Sequence, residues 1–326
     1  MEGQAGRQTD RGVGSASKTL EKRGEIILLE NFKSEYYTCD KNNPDSLLGR
    51  GAFGDVHKAR LKDNIAQSGL PDEIAIKEVV IKTPEAKHTK TEWNLLEKGI
   101  NFQNSNLVTM FCLSIEPSNK NKQILKIYME LCEHSLHDVM EDQTRPELSV
   151  DELKHVTAGV LNGLDHLHLQ GIIHRDVKPK NILLKTNITN TTSLMNMTIK
   201  LTDFNVSKWS SQDDITSTQT PMIGTDAFRA PEVLLFRDDG HTHYGIKSDI
   251  WSVGILVFQM WTKCPFASER EIRSADLDGF INRRIETVSE QSLHPILNGC
   301  LKKWPSDRLS ARDLLDHFFL QTGKSS

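Results

Sequence analysis

Four polar residues in the second half of the chain have the types and spacing for phosphoryl transfer. Asp176, Lys178 and Asn181 lie within five positions of one another, and Asp203 follows 27 positions after Asp176. In such a loop a carboxylate can accept a proton, an amine can neutralise a phosphate and a carboxamide can ligate a hard cation. The second carboxylate suits Mg²⁺. These residues therefore predict a site that handles a metal-bound phosphate.

A glycine-rich stretch earlier in the chain has the pattern GxGxxGxV. It follows Leu48 and comprises Gly49, Arg50, Gly51, Ala52, Phe53, Gly54, Asp55 and Val56. Alone it is a weak signal, because dinucleotide-binding domains also place glycines where the backbone approaches a pyrophosphate. Here a strand-like run follows the glycines instead of a helix. This order favours a β-hairpin that covers phosphates.

Lys77 and Glu92 form a further candidate pair. Lys77 lies in a β-type run, and Glu92 lies 15 positions later in an amphipathic segment, residues 86–98, which predicts a single helix. A lone Lys and Glu usually form a solvated surface pair. The strand and the helix place Glu92 where it can pair with Lys77.

The elements that position these residues change character along the chain. Residues 47–128 contain short β-type runs, whereas apolar residues at helical spacing dominate after Ser135. The change near residues 130–135 predicts two lobes with a short connector. Residues 1–44 are predicted to form a flexible N-terminal arm with one short apolar segment. Residues 186–198 predict an exposed insertion, either a docking loop or an inert one.

Composition limits the class of protein. The chain has 326 residues, a formal charge of −4, 37% hydrophobic and 26% charged residues, which excludes a disulfide-stapled miniprotein, a collagen and a wholly disordered chain. The charge balance argues against a nucleic-acid partner. Five scattered cysteines and the lack of a secretory leader predict a reducing compartment, and residues 250–262 are too short an apolar run to insert into a membrane. We expect an intracellular, cytoplasmic protein, with the nucleus as the alternative.

The order of the motifs resembles the eukaryotic protein kinase family over residues 45–320. Six signatures follow one another as in that family: the glycine-rich loop, the strand lysine Lys77, HRDxKxxN (174–181), Asp203 with Phe204, APE (230–232) and DIWSVG (249–254). Arg308 matches a late arginine that in this family pairs with the glutamate of APE, here Glu232. Lys178 and Thr225 look like the serine/threonine branch.

The resemblance implies an α+β, bilobal protein kinase fold. A small β-rich N-lobe with one main helix would span residues 45–129, a hinge residues 130–134 and a larger, mainly α-helical C-lobe residues 135–320, before a tail at 321–326. It also implies ATP and Mg²⁺ as cofactors and Ser or Thr hydroxyls of protein substrates as phosphate acceptors.

Roles follow for individual residues. Lys77, held by Glu92, would bind the α- and β-phosphates, and Asp176 would accept the proton of the attacking hydroxyl. Lys178 would balance charge on the phosphoryl group, and Thr225 would tie the peptide-binding loop to Asp176 and Lys178. The Mg²⁺ ligands would be Asn181 and Asp203, while the backbone amides of the glycine-rich loop would cover the phosphates.

The adenine site follows in the same way. Leu48, Val56, Ala75 and Leu183 would sandwich the base, with Met129 as gatekeeper, although Met129 and Leu183 are equally explained as plain core. Glu130 and Cys132 would offer backbone hydrogen bonds from the hinge. Arg175 implies an activation segment ordered by phosphorylation, with candidate sites at Ser210, Ser211, Thr216, Ser217, Thr218 and Thr220.

Two positions depart from the family pattern. Asn205 replaces the Gly that follows Asp203 and Phe204, and Phe228 replaces a more common Tyr. Asn tolerates a positive φ best among residues other than Gly, so we predict reduced switching of the Asp-Phe pair and retained activity. The rival hypothesis is a pseudokinase that keeps the fold without transferring phosphate. A kinase for small molecules is disfavoured because residues 224–232 match a peptide-binding loop. A regulatory protein partner is also expected.

Overall fold

Strands with alternating apolar side chains build the first half of the chain, as its β-type runs predict. The structure, a computed structural model, describes residues 25–27, 32–51, 54–65, 69–82, 104–118, 122–186, 193–203, 208–209, 226–235 and 245–318. In this part the first seven strands are β1 (Glu25–Ile27), β2 (Tyr37–Thr38), β3 (Leu47–Gly51), β4 (Gly54–Leu61), β5 (Glu73–Lys82), β6 (Met110–Pro117) and β7 (Lys122–Glu130).

These strands form one antiparallel sheet. The order is β1, β6, β7, β5, β4, β2, and β3 also pairs with β4. Because side chains alternate along a strand, one face of the sheet carries Ile74, Ile76 and Tyr128 and is called here the outer face. The other, the inner face, carries Ala75 and Met129. The inner face carries side chains that are predicted to contact the bound nucleotide, among them Ala75 and Met129.

The second half is mainly helical, as predicted. Its helices are α1 (Leu136–Glu141), α2 (Val150–Leu169), α3 (Pro231–Leu235), α4 (Ile246–Thr262), α5 (Glu269–Ile272), α6 (Leu277–Glu286), α7 (His294–Cys300) and α8 (Ala311–Phe318). Capping boxes fix the starts of α1 and α2, where Ser135 and Ser149 accept from the backbone of Asp138 and Glu152. The two-lobed α+β architecture is therefore confirmed.

Five short strands lie among these helices. They are β8 (His134–Ser135), β9 (Ile172–Ile173), β10 (Ile182–Thr186), β11 (Met197–Leu201) and β12 (Lys208–Trp209). β10 pairs with both β11 and β8, and β12 pairs with β9. The β10 and β11 hairpin places the residues that follow β9 beside those that follow β11. The hairpin thereby brings together the segments that carry the two predicted site carboxylates, those of Asp176 and Asp203.

The main core lies around α2 and α4, where apolar side chains of the large lobe are buried. Gly159 and Gly163 let α2 approach β11 and the 104–109 segment closely, since a Cβ on Gly163 would lie 2.9 Å from the Asn106 carbonyl oxygen. Helix α4 is largely apolar and buried, and its buried residues include the polar Ser248 and Asp249. Within the described residues, no helix has the length and hydrophobicity needed to cross a membrane.

Two expectations about flexible segments differ from the structure. Residues 32–44 were expected in a flexible arm, but Phe32 and Tyr37 are buried against the outer face of the sheet, and β1 and β2 are paired strands. The 186–198 insertion is also not wholly exposed, because Thr186 pairs with Met197 and Leu194 is buried in the main core. In both segments single apolar residues, too few to form a pattern, find partners far away in the chain.

Candidate active site

The loop after β9 takes its shape from a buried carboxylate on α4. Asp249 Oδ2 accepts a hydrogen bond from the backbone N–H of His174 and Oδ1 accepts one from that of Arg175, both at 2.8 Å. His168 Nε2 also lies 2.8 Å from Asp249 Oδ2. Burial alone would raise the pKa of Asp249, but the hydrogen bonds and charge of His168 and His174 hold this pKa below its ordinary value.

The same loop contains a backbone conformation that side chains rarely adopt. Arg175 has a φ of 71°, which costs about 1–3 kcal/mol in a residue other than Gly. Asp249 compensates for this cost by accepting the Arg175 N–H. The outcome is that Asp176, the next residue, is fixed relative to the core of the large lobe.

Asp176, Lys178 and Asn181 come together as predicted. Asp176 Oδ2 accepts hydrogen bonds from Lys178 Nζ and Asn181 Nδ2, each at 2.7 Å. Asn181 Nδ2 also donates to the Asp176 carbonyl at 2.8 Å, and a short 3₁₀ turn at Pro179–Asn181 makes this approach possible. Lys178 Nζ and Asn181 Nδ2 thus converge on one oxygen of Asp176, so the carboxylate has a defined orientation.

Asp203 lies directly beside this loop. The N–H of Thr202 donates to the Asn181 carbonyl at 3.0 Å, and His174 Nε2 lies 2.9 Å from the Thr202 carbonyl. Asp203 itself has a φ of 69°. Lys77 Nζ on β5 donates to Asp203 Oδ1 at 2.9 Å, so the strand lysine of the small lobe reaches the large lobe. The pairing of Lys77 with Glu92 stays a prediction, because Glu92 lies outside the described residues.

The donor set fits a magnesium ion bound together with phosphates. Both hydrogen bonds of Asn181 Nδ2 go to Asp176, so the Asn181 Oδ1 and the Asp203 carboxylate can each offer an oxygen ligand. Hard oxygen ligands of this kind suit Mg²⁺. Among the described residues, no group of three His, Cys, Asp or Glu side chains is placed to hold a metal. At nucleotide sites Mg²⁺ is usually bound by one or two protein groups together with phosphate oxygens and water.

The glycine-rich stretch forms a hairpin, as predicted. Arg50 pairs with Asp55 and Gly51 with Gly54 across β3 and β4. Gly54 has a φ of 142°, and a Cβ there would lie 1.8 Å from the Glu78 carbonyl oxygen. Only glycine fits this position. Ala52 and Phe53, at the tip of the hairpin, lie outside the described residues.

The apolar residues predicted for adenine are largely gathered on the inner face. Ala75 and Met129 are buried together with Val108, and Val56 and Leu183 pack against them. Leu48 does not join this cluster and is 45% exposed. The cluster provides a flat apolar wall between the hairpin and β10, of the kind that binds a planar base.

The hinge holds a charge cluster that the sequence did not predict. Glu130, only 6% exposed, accepts from the Thr109 N–H at 2.7 Å, and its carboxylate lies 2.7 Å from Lys200 Nζ and 2.5 Å from Lys185 Nζ. Burial opposes the charged form, but these partners hold the pKa of Glu130 below its ordinary value. Burial raises the pKa of Cys132, two residues further, to about 12, so this thiol stays neutral.

A buried ion pair closes the large lobe beneath the peptide-binding loop. Arg308 binds Glu232 through two hydrogen bonds, NH1 to Oε1 at 2.8 Å and NH2 to Oε2 at 2.7 Å. The Ser248 hydroxyl donates to the same Glu232 Oε1 at 2.8 Å. The pairing expected from the resemblance is confirmed. Thr225, Asn205 and the six candidate phosphorylation sites lie outside the described residues, and their roles stay predictions.

Comparison with known proteins agrees with this geometry. The sequence model of the protein kinase domain matches residues 43–320. Serine/threonine-protein kinase pakF of Dictyostelium discoideum is 32% identical over 283 residues, which make up 85% of this chain and 21% of the relative. Serine/threonine-protein kinase 33 of Mus musculus is 27% identical over 293 residues, 88% of this chain and 55% of the relative.

Mitogen-activated protein kinase kinase kinase 3 of Arabidopsis thaliana is 32% identical over 324 residues, 94% of this chain and 51% of the relative. The chain thus spans between 21% and 55% of the length of these relatives. Since the domain model matches most of the chain and the motifs converge in space as that family requires, this chain belongs to the protein kinase family, in its serine/threonine branch.

Proposed function

We propose that this chain is an active serine/threonine protein kinase, which transfers the γ-phosphoryl group of MgATP to Ser and Thr hydroxyls of protein substrates. The observation that carries the proposal is the convergence of Lys178 and Asn181 on one oxygen of Asp176. Lys77 and Asp203 lie in contact beside this group. The serine/threonine kinases among the relatives support the same activity.

Asp176 performs the proton step. Its carboxylate orients the acceptor hydroxyl, whose oxygen forms the new bond to the γ-phosphorus while the bond from that phosphorus to the β,γ-bridging oxygen breaks. ADP leaves with the electron pair of the broken bond, and the hydroxyl proton passes to Asp176. The Lys178 ammonium, 2.7 Å from Asp176, neutralises charge on the phosphoryl group in the transition state of the transfer.

The remaining residues position the nucleotide. Mg²⁺, when bound, supplies charge neutralisation at the phosphate oxygens, and Asn181 and Asp203 would hold it. Lys77 offers its ammonium to the phosphates, and Gly54 keeps the hairpin close above them. The apolar cluster around Ala75 and Met129 binds the base. Catalysis is thus mainly positioning and electrostatic stabilisation.

The test is phosphate transfer by the purified full chain and by its Asp176→Asn variant. With radiolabelled ATP and a generic basic protein as acceptor, we expect label on the acceptor or on the chain itself with the wild type only. Asp176→Asn keeps the shape of the side chain, so ATP binding, followed by thermal shift, should persist. Lys180→Gln, an exposed change in the same loop, is the matched control and should retain activity.

A different result would favour the rival. If the wild type transfers no label and does not differ from Asp176→Asn, the chain is a pseudokinase. If the wild type labels Ser and Thr in a peptide array, the same array gives the preferred sequence around the acceptor.

We further propose an intracellular site of action and regulation by a protein partner, with no nucleic-acid partner. All five cysteines are free in the structure, which supports a reducing compartment. A fluorescently tagged chain should be seen in the cytoplasm or nucleus, and secretion of the tagged chain would contradict this proposal.

A further inference from the structure

The N-terminal segment provides both terminal strands of the main sheet. β1 pairs with β6 through Glu25 and Ser114, and β2 pairs with β4 at the opposite edge through Tyr37 and Leu61. The two strands are only nine residues apart in sequence. The described residues of this segment, 25–27 and 32–38, are here called the strap, and they pair with both edges of the sheet.

Phe32 lies between these two strands and fills the outer face. It is 1% exposed, and its ring centroid lies 5.3 Å from that of Tyr37, 5.8 Å from that of Phe111 and 5.7 Å from that of Tyr128. Aromatic rings at such separations pack favourably. Phe32 thus joins the strap to β6 and to β7, the strand that leads into the hinge.

Polar contacts hold the strap in register beside this ring. The Tyr37 hydroxyl donates to the Pro71 carbonyl at 2.8 Å, and the Lys62 N–H donates to the Tyr36 carbonyl at 2.9 Å. The Tyr128 hydroxyl shares a hydrogen bond with the Ser34 side chain, and burial raises the pKa of Tyr128 to about 12. Tyr128 is therefore a neutral hydrogen-bonding group at every physiological pH.

The position of Tyr128 bears on the nucleotide site, because Met129 is its neighbour on β7. Their side chains point to opposite faces of the sheet. Tyr128 contacts Phe32 on the outer face, while Met129 and Ala75, which are paired across β7 and β5, line the predicted adenine wall on the inner face. Any outward movement of β7 into a gap left by Phe32 would deepen that wall and move the Glu130 carbonyl.

We propose that Phe32 is a positioning residue for nucleotide binding, which acts through Tyr128 to set the distance of the hinge strand from the adenine site. The inference rests on the proposed ATP binding. Phe32 itself touches no part of the predicted nucleotide site. Its removal should therefore weaken nucleotide binding more than it slows the chemical step.

The experiment compares full-length Phe32→Ala with Phe266→Ala, a change of the same residue type at a buried position in the large lobe. KM for ATP and kcat are measured together with the melting temperature. We expect Phe32→Ala to raise KM for ATP about tenfold with kcat nearly unchanged. Phe266→Ala should lower the melting temperature without moving KM. Phe32→Leu, which refills part of the gap, should restore most of the ATP affinity.

Two results would overturn the inference. One is a wild-type KM for ATP in Phe32→Ala molecules that remain folded at the assay temperature. The other is an equal rise of KM in Phe266→Ala, since that would show a general effect of lost stability. A wild type that neither binds nor uses ATP would instead refute the proposed function, so the two failures are distinguishable.

Discussion

Lys77 Nζ lies 2.9 Å from Asp203 Oδ1, and this contact joins a strand of the small lobe to the residue that follows β11 in the large lobe. Lys77 is buried, and Asp203 is largely shielded from solvent. The cation expected to meet phosphate and the anion expected to meet metal thus lie side by side.

Replacing Lys77 should therefore remove a group that acts on the transition state. We expect Lys77→Met to lower kcat/KM about 10²- to 10³-fold, the usual effect of deleting one fixed electrostatic donor. Lys58→Met is the matched control, because Lys58 binds Glu73 at a partly exposed position on the neighbouring strand. Steady-state assays of phosphate transfer measure kcat/KM for Lys77→Met and Lys58→Met. Near-wild-type activity of Lys77→Met would contradict a role of Lys77 in the transition state.

Asn181 should affect the requirement for Mg²⁺. Asn181→Ala removes one oxygen ligand and also both hydrogen bonds to Asp176, so the Mg²⁺ concentration for half-maximal activity should rise about tenfold. Titration of phosphate transfer with Mg²⁺ measures this value. Lys180→Ala, the exposed neighbour, should leave it unchanged; an unchanged Mg²⁺ requirement in Asn181→Ala would exclude Asn181 as a ligand.

The Glu232 and Arg308 pair should contribute to stability. Removing one partner leaves a buried charge without compensation, so Arg308→Met should lower the free energy of unfolding by about 3–5 kcal/mol. The exposed pair of Arg283 with Asp276 offers the control, and Arg283→Met should change this free energy by less than about 1 kcal/mol. Chemical denaturation measures the free energy of unfolding of both variants. If Arg308→Met and Arg283→Met lose similar amounts of this free energy, burial of the Glu232 and Arg308 pair does not determine its contribution to stability.

The hinge carboxylate should make stability depend on pH. The pKa of Glu130 is held below its ordinary 4.5 in the folded chain, so the unfolded chain binds more protons in the interval between the two values. The stabilisation is fully present above pH 4.5 and is lost as the pH falls through the lower, folded value. Unfolding free energies measured from neutral to acid pH should therefore converge for wild type and Glu130→Gln. If the unfolding free energies of wild type and Glu130→Gln differ by the same amount at every pH, the ionised Glu130 carboxylate does not stabilise the folded chain.

Gly54 should tolerate no side chain. Gly54→Ala combines a positive φ with a contact of 1.8 Å to the Glu78 carbonyl oxygen, so we expect it to lose more than about 2 kcal/mol of stability. Gly69 has a φ of 98° with open space around it. Gly69→Ala thus measures the backbone effect alone. Melting temperatures should fall further for Gly54→Ala, and equal shifts would mean that β5 yields to the new methyl group.

The sequence predicted those parts of the site whose residues are close together in the chain. Asp176, Lys178 and Asn181 share one loop, so their spacing already places them within reach of one another. The contact of Lys77 with Asp203, 126 positions apart, was not predicted; from the order of motifs Lys77 was expected to pair with Glu92 and to bind phosphates. The pairing of Arg308 with Glu232 also required knowledge of the family.

Residues whose role depends on distant partners were missed. Asp249 was identified only as the first residue of the DIWSVG signature, and its hydrogen bonds to the backbone of His174 and Arg175 depend on packing of α4 against β9. The side chain of Glu130 was not considered, because Lys185 and Lys200 lie on another hairpin. Phe32 was assigned to a flexible arm, since one aromatic residue among polar ones has no periodicity. In each case tertiary packing, which local patterns do not encode, decides the outcome.

The pairing of β1 with β6 also sets an order of events in folding. Glu25 pairs with Ser114, 89 positions later, so β1 cannot find its partner in the sheet until β6 has been made. Long-range pairing of this kind slows folding, and an unpaired strand in a nascent chain is exposed to wrong partners. The small lobe can close its sheet only when the whole of it has been synthesised.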